Sequence, residues 1–208
     1  MSDDPINAVD WPDKLPARVV EEGRAPRLQG YEVDGDLARH YHFADVVFLA
    51  LTGELPKEKT SGLFERILIL LSPANAGSAA THAAGVSRLC GASEAAVFAT
   101  SAGLLAQTAA SGEVSHLGWE EPALEEALAR LFEEEGFEVP WTRGVPASEA
   151  VASALEACGL TSEQQRVAAV AIGALPASIA EALAWRRGGF KTYPMNLPAF
   201  RYEEDEDE

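Results

Sequence analysis

The chain has 208 residues, 33 acidic side chains against 16 basic ones, a formal net charge of −17 and a hydrophobic share of 47%. That apolar share is ample for a buried core and excludes wholesale disorder. The charge excludes non-specific binding to nucleic acid or to an anionic membrane surface, because their phosphates would repel it. In chain order, residues 1–30 carry Pro5, Pro12, Pro16 and Pro26 among scattered charges and read as an extended arm without a core of its own. From Asp36 onward the hydrophobic spacing is three and four, so residues 31–202 read as an all-α domain without a long alternating strand. A first helix runs from Phe43 through Leu51 and stops at Gly53, with Pro56 beyond it. Thr60 caps the next, apolar at Leu63, Phe64, Ile67, Leu70 and Leu71 and ended by Pro73. Ser93 opens a third that closes at Gly112. Pro122 opens a fourth, ending near Gly136 with Leu124, Leu128, Leu131 and Phe132 on one face. Ser148 to Gly159 forms a short fifth. Ser162 with Gln165 has the spacing of a capping box and starts a last long helix, expected to be interrupted or kinked at Pro176 and stopped by Gly188-Gly189. The tail, residues 203–208, is six consecutive carboxylates and reads as solvated and disordered.

Alanine is dense from Ala79 to Ala110 and again from Ala168 to Ala184, and small side chains let helix axes approach closely, within the domain or at a subunit interface. Cys90 and Cys158 stand alone, so neither a disulfide framework nor a cysteine-ligated metal site is expected. The N-terminal residues lack the pattern of a signal peptide and no apolar run is long enough to span a membrane, which places the protein in the cytoplasm. No resident cofactor or metal is expected. His40 and His42 lie two apart, the wrong spacing for paired ligands on a helix.

The string Arg27-Leu-Gln-Gly30-Tyr31, then Leu37-Ala38, Phe43-Ala-Asp-Val46 and Leu49-Ala-Leu-Thr-Gly53-Glu54-Leu55-Pro56 resembles the amino-terminal part of the citrate synthase superfamily, which includes methylcitrate synthases and citryl-CoA lyases. Gly85 to Ser87, Gly91-Ala92, Ala102-Gly103-Leu104-Leu105 and Ser115-His116 resemble the lyase-like branch in order and spacing. Leu155 to Leu160, Ala174 to Leu183 and Pro198 to Tyr202 resemble late family segments more loosely. The resemblance implies a helical large domain that dimerises, and a C–C bond chemistry on a CoA thioester. In that chemistry a carboxylate takes the α-proton, one histidine stabilises the enol and another holds the oxoacid carbonyl.

Departures from the family pattern are as informative. The family's oxoacid-binding histidine falls where this chain reads Ala74-Asn75-Ala76-Gly77. His116 falls at the enol-stabilising position, but Leu117-Gly118-Trp119 follows it in place of a glycine pair. Between His116 and Ser148 there is neither another histidine nor an aspartate, and the interval is too short for the inserted small domain. The resemblance therefore implies a citrate synthase-like large-domain helical bundle with the small domain deleted. Its catalytic candidate is His116, and its substrate-binding candidates are Asn75, Arg186 and Arg187.

The same residues have simpler readings. His116 serves as a retained structural histidine, His82 as a packing residue, Arg186 and Arg187 as complements to a helix dipole, and Glu133 to Glu135 as a solvated helix end. Trp119 and Trp141 would cover surface exposed by the missing domain. Three functions follow. The first is a non-catalytic or accessory subunit with a degenerate site, in a homodimer or in a heteromer with a full-length citrate synthase-like paralogue. The second is an active reduced-form lyase or synthase on the CoA thioester of a di- or tricarboxylic acid. The third is a carboxylate-binding regulatory module whose basic spots are Arg24/Arg27, Arg143 and Arg186/Arg187/Lys191.

Overall fold

The computed structural model describes residues 20–184 apart from residues 24, 76 and 121. The protein is all-α, with strand confined to three two-residue pieces among the described residues. It divides into two compact units, one reaching to Gly62 and the other starting at Leu63.

In the first unit, β1 (Val20–Glu21), β2 (Arg27–Leu28) and β3 (Tyr31–Glu32) form a small antiparallel sheet in sequence order, with Val20 opposite Leu28 and Leu28 opposite Tyr31. The turn between β2 and β3 uses Gln29 and Gly30, both at positive φ (52° and 86°), and Arg27 Nη1 donates to the Gly30 carbonyl at 3.2 Å. A π-helical turn, Val33–Leu37, leads through the single turn α1 (Ala38–His40) to α2 (Phe43–Thr52). Ala44, Val47, Phe48 and Leu49 of α2 are buried, and Gly53 ends it at φ 81°, its N–H bonded to the Leu49 carbonyl. A residue with a β-carbon would be strained there, so this part of the Gly-Glu-Leu-Pro string is a helix stop. Asp45 is buried; it accepts the His42 N–H at 2.9 Å and the Ser61 hydroxyl.

α3 (Glu58–Leu70) starts two residues before the expected cap at Thr60 and carries Leu63, Phe64 and Ile67 into the second unit's core. There follow α4 (Ala79–Leu89), α5 (Glu94–Ala110), α6 (Ala123–Glu134), α7 (Ala147–Ala157) and α8 (Glu163–Ala184). Ser78, Ser93 and Ser162 cap α4, α5 and α8 by accepting the N–H of Thr81, Ala96 and Gln165, and Gln165 returns the bond by accepting the Ser162 N–H at 3.0 Å. α4, α5 and α8 pack against one another, and α7 packs on both α6 and α8. Their contact is close because it is made by small residues. Ala80, Ala84, Ala169 and Ala174 are fully or almost fully buried, and α8 also lies close to the end of α3, where a β-carbon on Gly173 would come within 2.8 Å of Leu71 Cβ.

α8 is not interrupted at Pro176, which lies inside the helix. One lost hydrogen bond is tolerated where the helix on either side is held by α4 and α5. Glu133 to Glu135 is also not a simply solvated run. Arg66 of α3 pairs with Glu134 at 2.7 Å and with Glu135, while Arg143 pairs with Glu133 at 2.7 Å. Nor does Trp141 cover an outer face. It lies edge-on to Phe132 with centroids 5.3 Å apart, and its Nε1–H donates to the buried Glu125 carboxylate at 2.8 Å. The arm up to residue 19, the expected stop at Gly188-Gly189, the Pro198 to Tyr202 segment and the tail at 203–208 lie outside the described residues.

Candidate functional site

The chain leaves α5 at Ala110 and turns at Gly112 (φ 75°). It then runs through Glu113 and Val114 into a 3₁₀ turn, Ser115–Leu117, that Gly118 closes at φ 69°. Gly118 is required twice over. Its φ is left-handed, and a β-carbon would stand 3.1 Å from the Ala74 carbonyl carbon and 3.2 Å from its oxygen. The segment after α3 is thus pressed against this loop. The Asn75 N–H donates to the His116 carbonyl at 2.9 Å, and Trp119 Nε1–H donates to the Leu70 carbonyl at 2.8 Å.

Two of the sequence candidates, Asn75 and His116, therefore meet across one backbone hydrogen bond. Their side chains have different fates. Asn75 is exposed, and its Oδ1 accepts the Gly77 N–H at 2.9 Å while its own carbonyl accepts the Ser78 N–H, which makes it a turn residue leading to the α4 cap. His116 is 4% exposed and neither ring nitrogen has a hydrogen-bond partner among the described residues. Burial lowers its pKa from the ordinary histidine value; the Glu113 backbone and its carboxylate pull weakly the other way without closing a well-formed bond. The imidazole is neutral at pH 7, with one donor and one acceptor nitrogen. Arg186, Arg187 and Lys191, like Arg24 and Ala76, lie outside the described residues.

Two cavities flank the 112–114 loop, and neither is lined by His116. The first, about 380 Å³, is bordered by Glu113, Ser115, Trp119, Glu120, Leu124 and Ser148, with carboxylates and, among the described residues, no cation in its wall. The second, about 230 Å³, is mainly apolar and is bordered by the ends of α5, α7 and α8, with Arg166 in its wall. Arg166 belongs to no motif in the sequence. Its only signal was a cation in the first turn of a helix, against the macrodipole. Arg143, a candidate basic spot, is engaged by Glu133 and lies 3.8 Å from Glu125.

His40, His42 and His82 are exposed, so His82 is not a core packing residue. Among the described residues no group of three or more histidine, cysteine or acidic side chains is placed to hold a metal ion. Burial pushes the Cys158 thiol up to about 12, which leaves it unreactive. No helix of the described residues is long and apolar enough to cross a membrane.

No family model matches the chain, and no curated protein matches it. Among solved structures, citryl-CoA lyase from Hydrogenobacter thermophilus is similar, with a TM-score of 0.46 and 16% identity over 81% of this chain and 86% of that one.

Proposed function

We propose that this chain is a citrate synthase-like protein with a degenerate active site, acting as a non-catalytic or accessory subunit in a homo- or heteromeric assembly. The observation that carries the reading is His116. The histidine that falls at the family's enol-stabilising position is buried, neutral and absent from the wall of either neighbouring cavity. A group that stabilises an enolate must reach the developing charge. The rest of the acid–base set is also missing: the chain has four histidines, the other three are exposed, and no aspartate occurs between Asp45 and Asp205. The larger cavity adds to this, because a wall with Glu113 and Glu120 and no cation among its described residues repels the carboxylates of an oxoacid or the phosphates of CoA.

The assembly surface is α5. Ala95, Ala99 and Ala106 are exposed on it beside Phe98, a composition suited to a close helix–helix contact with a second copy or a paralogue.

The test is His116→Ala in whatever assembly shows turnover of a CoA thioester of a di- or tricarboxylic acid. The accessory reading predicts a kcat within about twofold of the parent, with assembly mass unchanged. Loss of roughly 10²-fold or more in kcat, at unchanged mass and melting temperature, would place enol chemistry in this chain and make it a reduced-form lyase or synthase.

A further inference from the structure

We infer that the smaller cavity, between the C-terminal end of α5, α7 and the first turns of α8, binds a small apolar zwitterion: an α-amino acid with an aliphatic side chain. This goes beyond the accessory-subunit reading and does not rest on it. The wall is mostly hydrocarbon, supplied by Ala109, Val151, Leu155 and Val170, and its charged members are Glu113, Glu163 and Arg166. Among the described residues, Arg39, Arg66, Arg88 and Arg143 each have a carboxylate partner. Arg166 has no such partner, as the exposed Arg130 has none, and no lysine or arginine among the described residues pairs with Glu113 or Glu163, so a cation and two anions border one apolar space without neutralising one another.

Arg166 is also held in position. Its Nη1 donates to the Leu160 carbonyl at 3.2 Å and the Thr161 carbonyl at 2.9 Å, closing the loop before α8. A neutral donor could close that loop. A full positive charge in a helix's first turn is opposed by the dipole, so the charge itself calls for an anionic partner. A plain carboxylate would satisfy Arg166 but meet Glu113 and Glu163, and a plain ammonium would do the reverse. An α-amino acid answers both signs and places its side chain against the hydrocarbon wall. Size agrees: a space of about 230 Å³ is enough to take an aliphatic α-amino acid.

Isothermal titration of the full chain decides the matter with three probes: L-leucine, 4-methylpentanoate, which lacks the ammonium, and 3-methylbutylamine, which lacks the carboxylate. The expected result is saturable leucine binding, with each truncated probe at least about tenfold weaker. Arg166→Gln should weaken leucine about tenfold while leaving the amine unchanged, and Val151→Phe, which fills the space, should abolish leucine binding with helical circular dichroism retained. The proposal is overturned by the absence of saturable leucine binding up to about 10 mM, by either truncated probe binding as tightly as leucine, or by an unchanged affinity in Arg166→Gln. Should Arg166→Gln fail to fold, Val151→Phe decides alone: retained leucine binding overturns the site and lost binding supports it.

Discussion

His116 holds two unsatisfied ring nitrogens in a buried site. Such atoms cost about 1–3 kcal/mol each, more than a shape-matched apolar group would. His116→Leu should therefore raise unfolding free energy by about 1 kcal/mol at pH 7 in urea titrations, and a clear loss of stability would mean that the nitrogens are bonded. The same residue sets a pH dependence. Its folded pKa is lowered, chiefly by burial, so above the unfolded value of about 6.5 both states are neutral and nothing is lost. As pH falls below that value the unfolded chain takes up the proton first, and stability drops until the lowered folded pKa is passed. Melting profiles from pH 8 to 5 should show a steeper acid decline in the parent than in His116→Leu. Parallel profiles would contradict the burial.

Gly118 and the caps show what elements contribute. Gly118→Ala combines a left-handed φ with a 3.1 Å approach to the Ala74 carbonyl, and should cost about 1–3 kcal/mol in chemical unfolding. A change below about 0.5 kcal/mol would show that the loop relaxes freely. Helix ends with specific chemistry were legible in the sequence: Gly53, Ser93 and the Ser162–Gln165 box stand where they were expected, and Pro122 stands one position earlier, at the N-cap of α6 and not in its first turn. α4 was not delimited, because an alanine-rich segment buried on several sides has no clean apolar stripe, and Ser78 is its only sharp signal. Asn75 and His116 were named as site candidates by the family resemblance alone, and the hydrogen bond between their backbones is visible only in the fold. The Trp141–Glu125 bond, the pairing of Arg66 with Glu134 and Glu135, and the placement of Arg166 all depend on side chains far apart in the sequence, or on a loop conformation that spacing does not encode.

At the scale of the whole molecule, copies of a chain of net charge −17 repel one another, which favours self-association through surfaces with little charge. The exposed face of α5 is such a surface, with Phe98 48% exposed among alanines. Light scattering should give at least a dimer mass at micromolar concentration, or in the presence of a paralogue a heteromer, and Phe98→Glu should shift the mass to a monomer by burying an unpaired charge in the seam. A parent that is monomeric alone and with any paralogue would remove the assembly surface. The central claim is that this fold lacks its own acid–base set, since general acid–base and electrostatic groups each supply about 10²–10⁴-fold to one transition state. The most direct measurement is thiol release by the purified chain alone, with acetyl-CoA plus oxaloacetate and with citryl-CoA. The account predicts no release above the uncatalysed background, and turnover near about 1 per second would contradict it.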